Sequence, residues 1–267
     1  MCINCKKEDM KDLVFSKFRP LCHNAGDMIY GLNGDIKSKK FESNSRFGQI
    51  LKNSELYAPN FEAFNDIDEG VFYISEEYQH LINQIRHMKK RAHICSFSYG
   101  KCDYFCEDLM WAHYANAHCG VKIDFKIDTE NITSKEPTLI CMKYGDTRYD
   151  FRNLSNTEHI DMKTVQELLS KKKCCWKYEG EYRVILNDKK LPIIIKRITL
   201  GKKFASRVVT NDEIEKMDFD ENIKKVAKQI LGLLKDSGKY EYELPEIWSY
   251  RTRYSDEPKK IEFNEMF

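Results

Sequence analysis

The stretch that most constrains the fold is Trp176–Leu186, because it alternates. Trp176, Tyr178, Tyr182, Val184 and Leu186 fall on one parity, with Gly180 as the gap. Lys177, Glu179, Glu181 and Arg183 fall on the other. A period of two is the signature of a strand, whose successive side chains point to opposite faces. Read as one strand, the segment lines a single face with two carboxylates and a guanidinium. That face is then either a wet outer surface carrying a structural Glu–Arg pair or the wall of a cleft. In a cleft, carboxylates two residues apart stand ~6–7 Å from each other, a separation compatible with acid and base roles.

The rest of the chain mixes periods. Val121–Ile127 alternates strictly, with Lys122, Asp124 and Lys126 facing away from the apolar set. Leu13–Arg19, His93–Ser98, Thr138–Tyr144 and Leu191–Leu200 also read as strands, with terminal strands at Tyr240–Leu244 and Trp248–Tyr254. Val71–Arg91, Leu109–His118, Asp161–Lys173 and Phe219–Lys235 carry apolar residues at helical spacing, and Phe47–Leu56 reads as a short helix. No regular βαβ beat is present. The expected fold class is therefore α+β: a single domain with a mixed, mostly antiparallel sheet and packed helices. Residues 1–12 read as a polar tail and 13–267 as the domain, with 206–267 supplying a C-terminal helix and strands. Residues 24–45 read as a long polar loop and a candidate insertion.

A chain of 267 residues, 42% hydrophobic, can fill a core. Its net charge of +2 is too small to argue by itself for nucleic acid. No apolar run reaches the ~20 residues of a spanning helix, and no apolar segment follows the basic residues at the start as in a signal peptide. Ten cysteines without an export signal read as reduced thiols in the cytoplasm. Cys2, Cys5, Cys22 and His23 are weighed as a zinc site, but the spacing of the second pair does not suit one, and no metal is expected.

Phosphate-binding loops, HExxH and GxSxG motifs are absent. Cys102 and Cys106 read as packing or loop residues. Cys174-Cys175 sits in a lysine-rich run, and Lys171–Lys173 reads as a solvated helix end. Trp111, His113 and Tyr114 form a dense cluster that fits a core or a ligand pocket equally. Asn65-Asp66 has the chemistry of a turn or cap.

Four pieces of the chain occur in a familiar order. They are Phe18-Arg-Pro20, Leu56-Tyr-Ala-Pro with Phe64-Asn-Asp66, Cys95-Ser-Phe-Ser with Leu109-Met-Trp-Ala-His-Tyr-Ala and Gly120-Val, and Trp176-Lys-Tyr-Glu-Gly-Glu-Tyr-Arg183 with Ile198-Thr-Leu-Gly201. Together they resemble the bacterial family known as domain of unknown function 2971, across residues 13–205. The chain departs from it at Ile67, where the family usually has proline. The family name itself supplies no activity. The layout is also similar to ADP-ribosyltransferases, with Arg19 on an early strand, Tyr57 on the next and Glu179-Gly-Glu181 late. That similarity implies NAD as co-substrate, with Arg19 on its phosphates and Tyr57 on nicotinamide. Glu181 would stabilise the developing oxocarbenium and Glu179 would position the nucleophile.

Three functions follow as expectations. The first is an NAD-using ADP-ribosyltransferase or NAD glycohydrolase of a bacterial defence or toxin-type system, such as phage defence. Its catalytic residues would be Glu181 and Glu179, with Arg19, Tyr57, Asn65, Asp66, Trp111, His113, Tyr114 and Arg183 binding substrate. The second is a non-catalytic module binding nucleic acid or a partner protein through the lysines of 171–177 and 196–203, with no membrane partner. The third is a hydrolase using the carboxylate pair.

Overall fold

The computed structural model describes residues 10–21, 29–30, 36–37, 45–63, 70–74, 78–145, 149–150, 160–205, 218–240 and 243–263. The elements run β1 (Phe15–Arg19), β2 (Ile29–Tyr30), β3 (Ile36–Lys37), α1 (Arg46–Asn53), β4 (Glu55–Tyr57), β5 (Phe72–Tyr73), α2 (Gln79–Arg91), β6 (His93–Ser98), α3 (Glu107–Tyr114) and β7 (Val121–Ile127). They continue with β8 (Thr138–Cys141), β9 (Lys143–Tyr144), β10 (Tyr149–Asp150), α4 (Met162–Leu168), β11 (Lys171–Lys172), β12 (Glu181–Leu186), β13 (Lys190–Leu200), α5 (Glu221–Asp236), β14 (Glu246–Ser249) and β15 (Lys259–Lys260). The class is α+β with mixed, mostly antiparallel pairing, as the periodicity implied.

Two compact units interleave along the chain. The first comprises Met1–Phe15, Leu56–Cys106 and Ile127–Pro192, the second Ser16–Glu55, Glu107–Lys126 and Ile193–Phe267. In the first unit, β12 is the middle strand, antiparallel to both β6 and β8. Its register sets Glu181 opposite Ser98 and Arg183 opposite Ser96 and Ile140. Ile94, Ile140 and Ile185 pack with Leu81 and Ile85 of α2 and with Val165 and Leu168 of α4 in one apolar cluster. Asp161 starts α4 by accepting the Thr164 N–H at 2.8 Å, which satisfies one of the donors a helix start leaves open.

In the second unit the strand order is β15-β14-β13-β7-β1, with β13 parallel to β14 and β14 antiparallel to β15. Val121, Ile123, Phe125 and Ile127 are all buried, as the alternation required. Helix α5 buries Ile223, Val226, Ala227, Ile230 and Leu234 on one face, and Asp220 caps its start through the Asn222 N–H at 2.8 Å.

Several boundaries differ from the sequence expectation. The segment 176–186 is not one strand: Cys174–Glu179 forms a 3₁₀ turn, and β12 begins only at Glu181. Gly180 sits between them at φ +51°, a left-handed conformation that lacks the usual penalty only for glycine. A Cβ there would stand 3.2 Å from the Tyr99 carbonyl oxygen and 3.3 Å from the Cβ atoms of Cys102 and Phe105. The helix expected over Asp161–Lys173 stops at Leu168, and Lys171–Lys172 pairs as a short parallel strand with Lys143–Tyr144. The helix expected to reach His118 ends at Tyr114, because Asn116, Ala117 and His118 all adopt positive φ.

Candidate functional site

The sharpest concentration of charge in the first unit is built on the two sides of Gly180. Glu179 closes the 3₁₀ turn and Glu181 opens β12. Lys172, on β11, reaches both: its Nζ lies 2.5 Å from Glu179 Oε2 and 2.7 Å from Glu181 Oε2. Arg183 Nε donates to the other Glu181 oxygen, Oε1, at 2.7 Å, and its Nη1 donates to the Leu169 carbonyl at 2.9 Å. The Glu181 N–H donates to the Tyr144 hydroxyl at 2.8 Å. Trp176 lies over the Lys172 ammonium at 5.2 Å, and Tyr104 meets Tyr144 edge-on.

None of the four charged side chains is more than 8% exposed. This corrects the reading of a wet face and, for Lys172, of a solvated helix end; Lys171–Lys172 is a short strand, and Lys173 is exposed. Two cations and two anions are closed inside the unit, so each charge has the partner that burial demands. Burial acts to raise the Glu181 carboxyl, but Arg183 and Lys172 outweigh it and hold the group well below the usual carboxylate range. Burial acts to lower the Lys172 ammonium, and Glu181 and Glu179 more than offset that, leaving it raised. Burial drives the Tyr144 phenol upward. Glu181 is therefore an anion at neutral pH, with both oxygens already engaged.

Around this buried cluster the surface is basic and aromatic. Lys171 and Lys143 are direct register partners. Lys143, Lys173 and Lys177 are exposed, and Lys101 lies exposed on the turn beside Gly180. Lys177 Nζ stands 4.5 Å over the Tyr104 ring, and the Trp176 and Tyr178 rings are 6.2 Å apart.

The other expected site residues are scattered among different surroundings. Tyr57 lies on β4 and is 63% exposed. Arg19 ends β1 in the second unit. Trp111 is buried: its Nε1 donates to Glu107 Oε1 at 3.1 Å, its face stacks on His118, and its edge meets Phe18. It is a core anchor. His113 and Tyr114 are exposed on the last turn of α3. Asn65, Asp66, Cys2, Cys5, Cys22 and His23 lie outside the described residues. Among the described residues, no three His, Cys, Asp or Glu side chains gather as metal ligands, and no helix is long and apolar enough to cross a membrane.

A second polar network stands in the second unit and was missed at the sequence level. Asp124 on β7 accepts from Ser16 Oγ of β1 at 2.6 Å and from Arg197 Nε of β13 at 2.7 Å. Arg197 lies over the Trp248 ring at 5.1 Å. Lys122 Nζ is 3.9 Å from Asp124 and 2.7 Å from Glu107. The one available signal was Asp124 itself, a carboxylate in the middle of an otherwise apolar-and-lysine strand.

Residues 110–184 match the family model described as Protein of unknown function (DUF2971). The match bears out the resemblance carried by the motifs around Trp111 and Glu179-Gly-Glu181. The DUF2971 segment contains all four members of the buried ion cluster, together with Tyr144 and Trp176. No curated protein and no solved structure matches the chain.

Proposed function

We propose that the protein binds the phosphate backbone of a single-stranded nucleic acid, along the turn Cys174–Glu179 and the β9–β11 ribbon beside it. The observation that carries this reading is the gathering of Lys143, Lys171, Lys173 and Lys177 on one edge with Tyr104, Trp176 and Tyr178. Lysines give salt-dependent phosphate affinity, and half-buried rings beside them offer edges and faces on which bases can stack without sequence preference. Beneath them, the closed ion cluster holds the turn rigid.

The test is binding of a labelled single-stranded oligonucleotide across a salt series. Three to four phosphate contacts give a slope of log K against log salt of roughly −2 to −3. Replacing Lys143, Lys173 and Lys177 together by Gln weakens binding at least tenfold while the fold is kept. Affinity indifferent to salt, or unchanged in the triple variant, rejects the reading.

A second reading, an NAD glycohydrolase or ADP-ribosyltransferase, is favoured by one feature: Glu181 is held ionised, as stabilising an oxocarbenium requires. It also requires Lys172 to leave Glu181 Oε2 so that substrate can reach it. Nicotinamide release from NAD by the wild type and not by Glu181→Gln supports it; no release from the folded wild type removes it. The carboxylate-pair hydrolase needs one carboxyl that carries a proton near neutral pH, and Glu181 is held ionised there.

A further inference from the structure

Lys89 is buried, and no described side chain serves it as a counter-ion. It lies on α2 in the first unit and is 8% exposed. Buried lysines ordinarily pair with a carboxylate. Here the ammonium nitrogen instead donates to the Gly70 carbonyl at 3.0 Å and sits 3.6 Å from the centre of the Phe61 ring, with Phe72 at 6.0 Å. Among the described residues it makes no ion pair. The charged group that acts on it is Arg86, one turn earlier on the same helix, and its sign is the same.

The backbone is shaped around this amine. Gly70 adopts φ +63°, and a Cβ added there would stand 2.9 Å from Lys89 Nζ and 3.1 Å from the Phe61 ring. A Cβ there would crowd the end of the Lys89 side chain, on a backbone whose positive φ already favours glycine. The two conditions known to turn lysine into a nucleophile, an apolar surround and a neighbouring cation, thus coincide at one side chain.

We infer that Lys89 is a nucleophilic amine site that takes small aldehydes as imines. The neutral nitrogen attacks the carbonyl carbon, and the carbonyl π pair moves to oxygen, which is protonated to a carbinolamine. The oxygen takes up a second proton, from solvent, and leaves as water, which forms the C=N bond, and the remaining nitrogen proton stays as the iminium N–H. Amine, aldehyde and one proton give iminium and water, with no change of oxidation state. The iminium cation keeps both partners of the ammonium: the Phe61 face attracts it, and the Gly70 carbonyl accepts its N–H.

Burial first, and Arg86 second, bring the Lys89 ammonium down to about 8. At pH 7 its free-amine fraction is then about two orders of magnitude above that of an ordinary lysine. The experiment is reductive methylation of the full chain with limiting formaldehyde and cyanoborohydride at pH 7, read residue by residue by mass spectrometry. Lys90, exposed on the adjacent position, is the internal control. Lys89 is expected to be methylated at least tenfold faster than Lys90, with a rate that levels off above about pH 8, and the two are expected to react alike in concentrated urea. Methylation of Lys90 at an equal or greater rate in the folded protein overturns the inference, as does an unmodified Lys89. Gly70→Ala supplies a second reading. It displaces the amine from its carbonyl and is expected to erase the preference; a preference that survives in the folded variant shows that the cradle is not its origin.

Discussion

The two polar networks of this protein use the same chemistry to opposite degrees of closure. In the first unit Lys172, Glu179, Glu181 and Arg183 are all buried and their charges cancel. In the second, Asp124 is buried, but its partner Arg197 keeps 38% of its side chain exposed over Trp248. A buried charge whose partner is removed has no water to turn to, whereas a half-exposed one does. The first network is therefore a structural commitment, and the second is a set of strand-to-strand ties that solvent can replace.

The widest gap between them should appear on removing one carboxylate from each. Glu181→Ala leaves Arg183 and Lys172 with a single buried anion, Glu179, and is expected to cost about 3–5 kcal/mol by urea denaturation. A loss below ~1 kcal/mol would mean that the cluster opens to water. Acid should separate the networks next. The folded Glu181 carboxyl lies below its ordinary value of 4.5, so its contribution is fully present above about pH 4.5 and drains away as pH falls below it. The stability difference between wild type and Glu181→Gln is expected to be flat from pH 5 to 8 and to shrink below pH 4.5; a difference that grows in acid reverses the assigned sign. The smallest effect belongs to Asp124→Asn. The amide oxygen still accepts from Ser16, and Arg197 regains water, so about 1–2 kcal/mol is expected. A loss as large as that of Glu181→Ala would erase the distinction between closed and open networks.

How much of this was legible depends on what each signal reports. Alternation placed Val121–Ile127, His93–Ser98 and Leu191–Leu200 correctly, since a strand's faces follow from its own residues. It also placed Glu181 and Arg183 on one face. It did not show that this face is covered, because what closes over it, Lys172 and the Leu169 carbonyl, comes from outside the strand. Lys172 left no trace at all: it lies seven and nine residues before its partners in a run of lysines, where cations at a helix end are ordinary. Gly180 read as a gap in a strand, but its left-handed turn is what brings Glu179 back beside Glu181.

By itself the sequence determined the α+β class, the helix α5, the resemblance around Trp111 and Glu179-Gly-Glu181, and the presence of paired carboxylates. Those follow from local periods and fixed spacings. The helix expected over Val71–Arg91 is α2 only from Gln79, and Phe72–Tyr73 is a strand. The tertiary structure alone decided that the carboxylates are spent on Lys172 and Arg183, that Trp111 is a core anchor, and that Lys89 is buried on aromatic rings with a carbonyl as its hydrogen-bond partner. The physical reason is common to all three. A side chain's chemistry depends on whether water or protein surrounds it, and that is settled by segments far apart along the chain.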